Sequence, residues 1–247
     1  MKIVVIGGSG LIGTRLIAIL KAKGHEAVAA SPSTGVNSVT GEGLDAAVAG
    51  ADAVVDVSNA PSWEAAAVLD FFERSTRNQL AAESRARVPH HIALSIVGTD
   101  RAPGNSYFLA KLAQEKLIKA TGVPYTIVRA TQFFEFVAGI AEAGAIDGRV
   151  VVSSAAFQPI AADDVAAALA DAVERGAIND TIEIAGPDKA PLSDFVARRL
   201  QAAGDSREVI GDANAPYYGA PIDDRTLTPG EAPHLGAVHF DAWLAKA

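Results

Sequence analysis

Tyr107 and Lys111 stand four residues apart. On a helix that spacing sets two side chains next to each other, with about 5–6 Å between their Cβ atoms. A phenol beside an ammonium is equipment for moving protons, because free tyrosine titrates near pH 10, roughly, and a neighbouring cation favours the phenolate. The pair therefore predicts a Tyr107 whose pKa is lowered toward neutrality. Ser95 ends the apolar run His91-Ile92-Ala93-Leu94, which reads as a strand. That puts its hydroxyl at the carboxyl edge of a sheet, where open α/β sheets bind ligands, and where it can hold a substrate carbonyl oxygen. The plainer alternatives are a solvated lysine beside a half-buried tyrosine, and a serine that only satisfies loop backbone.

A second group of residues is built for a cofactor. Lys2-Ile3-Val4-Val5-Ile6 runs into Gly7-Gly8-Ser9-Gly10-Leu11-Ile12-Gly13. A β-branched strand ending on a glycine turn that opens a helix suits a dinucleotide pyrophosphate: glycines let backbone N–H groups approach, and the helix N-terminus favours negative charge. The glycines fit two registers, Gly8-x-Gly10-x-x-Gly13 and Gly7-x-x-Gly10-x-x-Gly13, and the second is favoured because Gly7 directly follows the strand. Gly7, Ser9, Gly10, Leu11, Ile12 and Gly13 are thus expected to bind the cofactor. An acid at the end of the second strand would select NAD, and a nearby arginine NADP. Ala30-Ser31-Pro32-Ser33-Thr34 offers neither. Without a carboxylate to repel it, a 2′-phosphate can be hydrogen-bonded by Ser31 and Ser33, with Arg15 in reach, so NADP(H) is preferred and NAD(H) is the alternative.

The elements that must position these groups alternate. Helices are expected over 11–23, 63–84, 106–120, 163–174 and 192–203, with a further one from Phe133. Strands are expected at 26–30, 53–57, 91–95, 125–129, 149–152 and 181–185, and 31–43 reads as a loop. Such alternation predicts an α/β fold, a doubly wound and mostly parallel Rossmann sheet covered by helices on both faces. The expectation is one domain over 1–247, to which roughly 133–160 and 186–247 contribute a small C-terminal substrate-binding lobe ending in a loop-rich tail. A chain of 247 residues is long enough for that and too short for two full domains.

Composition narrows the function classes. A net charge of −8 without a basic cluster argues against nucleic acid and for a small-molecule partner. Without cysteine there is no disulfide framework, thiolate metal site or thiol nucleophile, and the five histidines lack metal-ligand spacing, so no metal is expected. No apolar stretch approaches the ~20 residues of a membrane span, and the expectation is a cytoplasmic protein without a membrane partner. The absence of a Gly-x-Ser-x-Gly elbow leaves hydrolase chemistry without its usual motif. Asp163-Asp164 reads as acid complementing a helix start rather than a catalytic pair. His90-His91 is expected to be half exposed. Phe133, Tyr217 and Tyr218 are candidates for lining the substrate pocket.

The glycine turn, Ser95 and Tyr107-x-x-x-Lys111 occur in the order found in short-chain dehydrogenases/reductases. Leu94-Ser95-Ile96-Val97-Gly98 and Tyr125-Thr126-Ile127-Val128-Arg129-Ala130-Thr131-Gln132-Phe133 resemble the atypical, NmrA-like NAD(P)-binding branch. That resemblance implies a Rossmann fold and bound NAD(P)(H). In active members it implies Tyr107 as acid/base, Lys111 on the cofactor ribose and Ser95 on the carbonyl. It also places Ser58 and Asn59 at the adenine-ribose wall and Thr131 near the nicotinamide, although the family's Pro-Gly after this strand is Ala130-Thr131 here. The implied function is an NAD(P)H-dependent oxidoreductase passing hydride to a small carbonyl, quinone-like or azo substrate. Many NmrA-like members have lost the tyrosine and act as redox sensors, so a non-catalytic NAD(P)-binding sensor is the alternative, and a structural subunit that retains a cofactor is a third reading.

Overall fold

In the computed structural model, which describes residues 1–246, strand and helix alternate through the first half of the chain. The order is β1 (Lys2–Ile6), α1 (Leu11–Ala22), β2 (Glu26–Ala30), α2 (Leu44–Val48), β3 (Ala53–Asp56), α3 (Ala65–Ala86), β4 (His91–Ile96), α4 (Ser106–Lys119) and β5 (Tyr125–Ala130). There follow α5 (Val137–Ala143), β6 (Ala145–Ile146), β7 (Arg149–Ser153), β8 (Ala156–Phe157), α6 (Ala162–Arg175) and β9 (Asp180–Ala185). The chain ends with β10 (Ala190–Pro191), α7 (Leu192–Ala202), β11 (Val209–Asp212), β12 (His234–Leu235) and α8 (Phe240–Leu244). The main sheet is mostly parallel, seven strands in the order β12-β9-β5-β4-β3-β1-β2.

That order explains where a ligand can sit. From β1 the chain steps to β2 on one side and then returns to β3 on the other, each pairing being parallel. The carboxyl end of β1 is therefore a topological switch point, where the loops diverge and leave a crevice. Strands β1 and β3 are apolar except for Lys2 at the start of the one and Asp56 at the end of the other, because both of their faces are covered. Val4, Ile6, Val54, Leu44 and Val48 fill one side of the sheet, while Leu80, Ala93, Ile118 and Ile127 form another cluster.

The chain divides into two compact units. The first comprises Met1–Ser95, Ser106–Arg129 and Val165–Ile182; the second comprises Ile96–Asn105, Ala130–Asp164 and Glu183–Ala247. Within the second, β6 and β7 form an antiparallel hairpin whose turn, Asp147-Gly148, has both residues at positive φ, the geometry two-residue hairpins require. Strand β11 joins that hairpin in parallel, beside β7.

Several expectations differ from what is found. The 31–43 loop contains a 3₁₀ turn at Pro32–Thr34, and the helix expected from Phe133 is a 3₁₀ turn, Phe134–Phe136, before α5. Besides the expected α7, residues 186–247 hold α8 and three short strands, β10, β11 and β12, too brief to show a period. His90 and His91 are not half exposed: they are buried. His91 lies in β4 under α3, and its Nδ1 is 3.0 Å from both carboxylate oxygens of Glu83, a counter-charge that makes its burial tolerable. His90 meets Thr126 instead, and burial pushes its imidazole down to about 4.

Candidate functional site

The glycine turn is held by its neighbours. The Gly7 N–H donates to Ala30 O (2.9 Å), and Gly7 takes φ +80°, a conformation that favours glycine. A Cβ on Gly7 would lie 2.8 Å from Ser58 Cα, one on Gly8 2.7 Å from Ala29 Cα, and one on Gly13 2.3 Å from Gly7 O. Only the absence of side chains lets the turn fit between β2 and the loop after β3. Helix α1 then begins at Gly10 with no side-chain cap and no acid in its first turn. Its first N–H groups and the positive end of its dipole are left for an anionic ligand, so the residues present fit a pyrophosphate.

Ser58, against which Gly7 packs, is fastened by the buried Asp56. Asp56 Oδ1 accepts from both the Ser58 N–H (2.9 Å) and its hydroxyl (2.6 Å). Oδ2 accepts from Gln79 Nε2 (3.0 Å) and Gln114 Nε2 (2.9 Å). The carbonyl oxygen of Gln114 accepts in turn from Lys111, which also donates to Leu94 O at 2.7 Å. A continuous polar chain thus runs from the loop against the glycine turn to Lys111. The Lys111 ammonium lies 4.4 Å from the centroid of the Phe72 ring, a cation–π contact. Burial pushes its pKa down to about 8, against the upward pull of Asp56 and Glu115.

Tyr107 is half-buried on α4, packed edge-on against Phe72 and tilted against the exposed Trp63, with centroids 5.7 and 5.6 Å apart respectively. Its hydroxyl donates to Asn59 Oδ1 at 2.7 Å. The structure thus brings Tyr107 and Asn59 into contact. It also reverses the expected pKa shift: burial, and then the Asp56 charge, push the phenol above its ordinary range. The reason is that Lys111 turns toward Leu94 O, Gln114 and Phe72.

Ser95 belongs to a separate cluster. Its hydroxyl donates to Glu115 Oε1 (2.6 Å), and Glu115 also accepts from Arg129 Nε and Nη2 at 2.8 and 2.7 Å. Burial raises the Glu115 carboxyl, but the bonds from Arg129 and Ser95 outweigh it and hold the group below the usual carboxylate range. At the end of β2, Ser31 is buried with its Oγ 3.0 Å from that of the exposed Ser33, and Arg15 donates to Leu11 O in its own helix at 2.9 Å. In the second unit Thr131 is buried and its N–H donates to Ile184 O (3.0 Å), Phe133 stacks on Phe136, and Tyr217 and Tyr218 meet edge to face.

Residues 7–176 match the family described as NAD(P)H-binding. The chain belongs to the NAD(P)H-binding family. That match spans the glycine turn, Asp56, Tyr107 and Lys111. No curated protein matches the sequence. Solved structures share the fold at low identity. A dTDP-glucose 4,6-dehydratase double mutant from Streptomyces venezuelae, with NAD bound, is 16% identical with a TM-score of 0.78, covering 100% of this chain and 95% of its own. A dTDP-4-dehydrorhamnose reductase from Clostridium acetobutylicum is 15% identical, TM-score 0.75, with 99% and 98% covered. A reductase of the same name from Bacillus anthracis, in complex with NADP, is 14% identical, TM-score 0.72, with 100% and 97% covered. The Rossmann fold therefore stands, and the family supports NAD(P)-dependent oxidoreductase chemistry. No helix among the described residues is long and apolar enough to cross a membrane.

Asp56, Gln79, Gln114 and Glu115 were not singled out from sequence. A signal was there: Asp56 is the one charge in an apolar strand, and Gln114 and Glu115 lie three and four residues beyond Lys111, on its helix face.

Proposed function

We propose that the protein is an NAD(P)H-dependent reductase acting on a small carbonyl, quinone-like or azo compound. The observation that carries this reading is Tyr107: a phenol at the surface of the cofactor-binding unit, aimed by Asn59 at 2.7 Å and flanked four residues on by a buried lysine. When bound, NAD(P)H supplies the hydride. Tyr107 gives the proton: the phenol is protonated at neutral pH, and the anion formed by hydride addition to a carbonyl is a far stronger base. Lys111 orients the ribose, and Ser58 and Asn59 shape the wall beside it. To hold a carbonyl, Ser95 must turn its hydroxyl away from Glu115, and until then it serves to position that carboxylate.

The absence of a carboxylate at the end of β2, with Ser33 exposed beside Ser31, supports a preference for NADP(H) over NAD(H). Equal dissociation constants for NADPH and NADH in titration calorimetry contradict that preference. NADPH consumption with aryl aldehydes, quinones and azo dyes as acceptors tests the reductase reading.

A sensor reading has one observation in its favour: Leu94 O, Gln114 and the Phe72 ring already occupy the Lys111 ammonium. A sensor binds oxidised and reduced cofactor with different affinities and consumes NADPH with no acceptor.

A further inference from the structure

The second unit contains a cavity of about 440 Å³, within the size range of small-molecule sites. One wall is aliphatic, with Ile140 from α5, Val152 from β7 and Leu192 from α7. The pair Tyr217 and Tyr218 also lines it. Asp212 is the single charged side chain in the lining, and no lysine, arginine or histidine faces it.

The two tyrosines are placed at some expense to the backbone. Residues 217–220 form a tight turn in which Tyr217 and Ala220 exchange backbone hydrogen bonds of 2.8 and 3.1 Å. Tyr218 and Gly219 have φ of +46° and +83°, the pattern of a turn that prefers Asn, Asp or Gly at its first central position. Tyr218 takes that strained place while 55% exposed, so burial does not account for it. Its hydroxyl sits over Gly139, whose Cβ, if present, would be 3.8 Å away. Tyr217 is the reverse case. It is only 9% exposed and lines the cavity. Burial also raises its pKa, so the phenol keeps the proton it can donate.

We propose that this cavity binds an uncharged, planar aromatic molecule carrying an oxygen acceptor, the ring lying between the tyrosines and the aliphatic wall and the oxygen accepting from the Tyr217 hydroxyl. The two rings supply aromatic contacts. The aliphatic residues cover the faces of a flat apolar body, and the Tyr217 hydroxyl is a donor at the cavity wall. With Asp212 as the sole charge, an anion such as a nucleoside diphosphate is repelled. The proposal concerns binding and does not depend on the reductase reading.

The test is titration calorimetry on the full chain, without reducing cofactor, using four probes: 2-acetylnaphthalene, plain naphthalene, 2-naphthoate and thymidine diphosphate. The ketone should bind, and the naphthoate, which has the same rings but a negative charge, should bind at least about tenfold more weakly. Tyr217→Phe should weaken the ketone about tenfold and leave plain naphthalene unchanged, which separates a hydrogen bond from a structural role. Tyr218→Gly should weaken both aromatic probes while raising the thermal midpoint, since it relieves the turn. Naphthoate or thymidine diphosphate binding as well as the ketone, or ketone affinity indifferent to both substitutions, overturns the proposal. Because no turnover is measured, such a result leaves the reductase reading untouched, and a failure to oxidise NADPH leaves this one untouched.

Discussion

Asp56→Asn keeps the side-chain shape and removes one charge from the centre of the network. Four donors converge on Asp56: the Ser58 N–H and hydroxyl on Oδ1, and the amides of Gln79 and Gln114 on Oδ2. Asparagine has one oxygen and one NH₂, so in either orientation its NH₂ confronts two donors. Facing Ser58 costs less, because that hydroxyl can rotate to accept and only the Ser58 N–H is stranded. An orphaned N–H costs about 1–3 kcal/mol, and the loss of charge assistance at Gln79 and Gln114 adds about 1 kcal/mol. The sum is about 2–4 kcal/mol, a large part of a domain stability of about 5–15 kcal/mol. A second effect has a definite sign. Asp56 pulls Lys111 upward against burial, so without it the ammonium titrates below its present value of about 8. Urea unfolding at neutral pH measures the first effect, and NADPH binding followed by fluorescence from about pH 6 to about pH 9 measures the second. A stability loss under about 0.5 kcal/mol refutes the hydrogen-bond reasoning. An alkaline limb that stays put or moves upward refutes the electrostatics.

In the parent protein, Lys111 is charged below about 8 and neutral above it, so KM for NADPH should rise as pH increases through that value, and Lys111→Met should abolish the limb. Gly13→Ala places a Cβ 2.3 Å from Gly7 O and should cost stability as well as cofactor binding, whereas Gly10→Ala meets only a 3.3 Å contact and should reduce NADPH affinity with little change in the unfolding midpoint. The buried histidines make opposite contributions. His91, raised from 6.5 by Glu83 despite burial, stabilises the fold fully below that value and loses this as pH rises through its folded pKa. His90, lowered to about 4, makes the fold less stable as pH falls from 6.5 toward 4, and His90→Asn should flatten the acid side of a plot of stability against pH.

The first half of the chain was readable because local signals there agree with the global fold. A β-branched run, then glycines, then an apolar helical period mark β1, the turn and α1 unambiguously, and Tyr107 and Lys111 declare themselves by their separation of four on one helix. The tail was harder to read, since β10 and β12 are two residues each and carry no period. Side-chain direction was not legible either. Lys111 was expected to lower the Tyr107 pKa, but Gln114 and Leu94 O capture its ammonium, and burial, with Asp56, a contact distant in sequence, adding to it, sets the opposite sign. Ser95 points to Glu115 for the same kind of reason: Arg129, on another strand, has fixed that carboxylate in place. His90 and His91 were misjudged because polar residues are mostly exposed, and only the fold brings Glu83 and Thr126 to them.

In the proposed reaction Tyr107 hands a proton to an acceptor reduced by NAD(P)H. Steady-state NADPH oxidation by Tyr107→Phe, measured alongside its NADPH dissociation constant, is the decisive measurement. Turnover should be lower by about a hundredfold or more, the scale of one general acid, with cofactor affinity nearly unchanged. Turnover equal to that of the parent protein contradicts it.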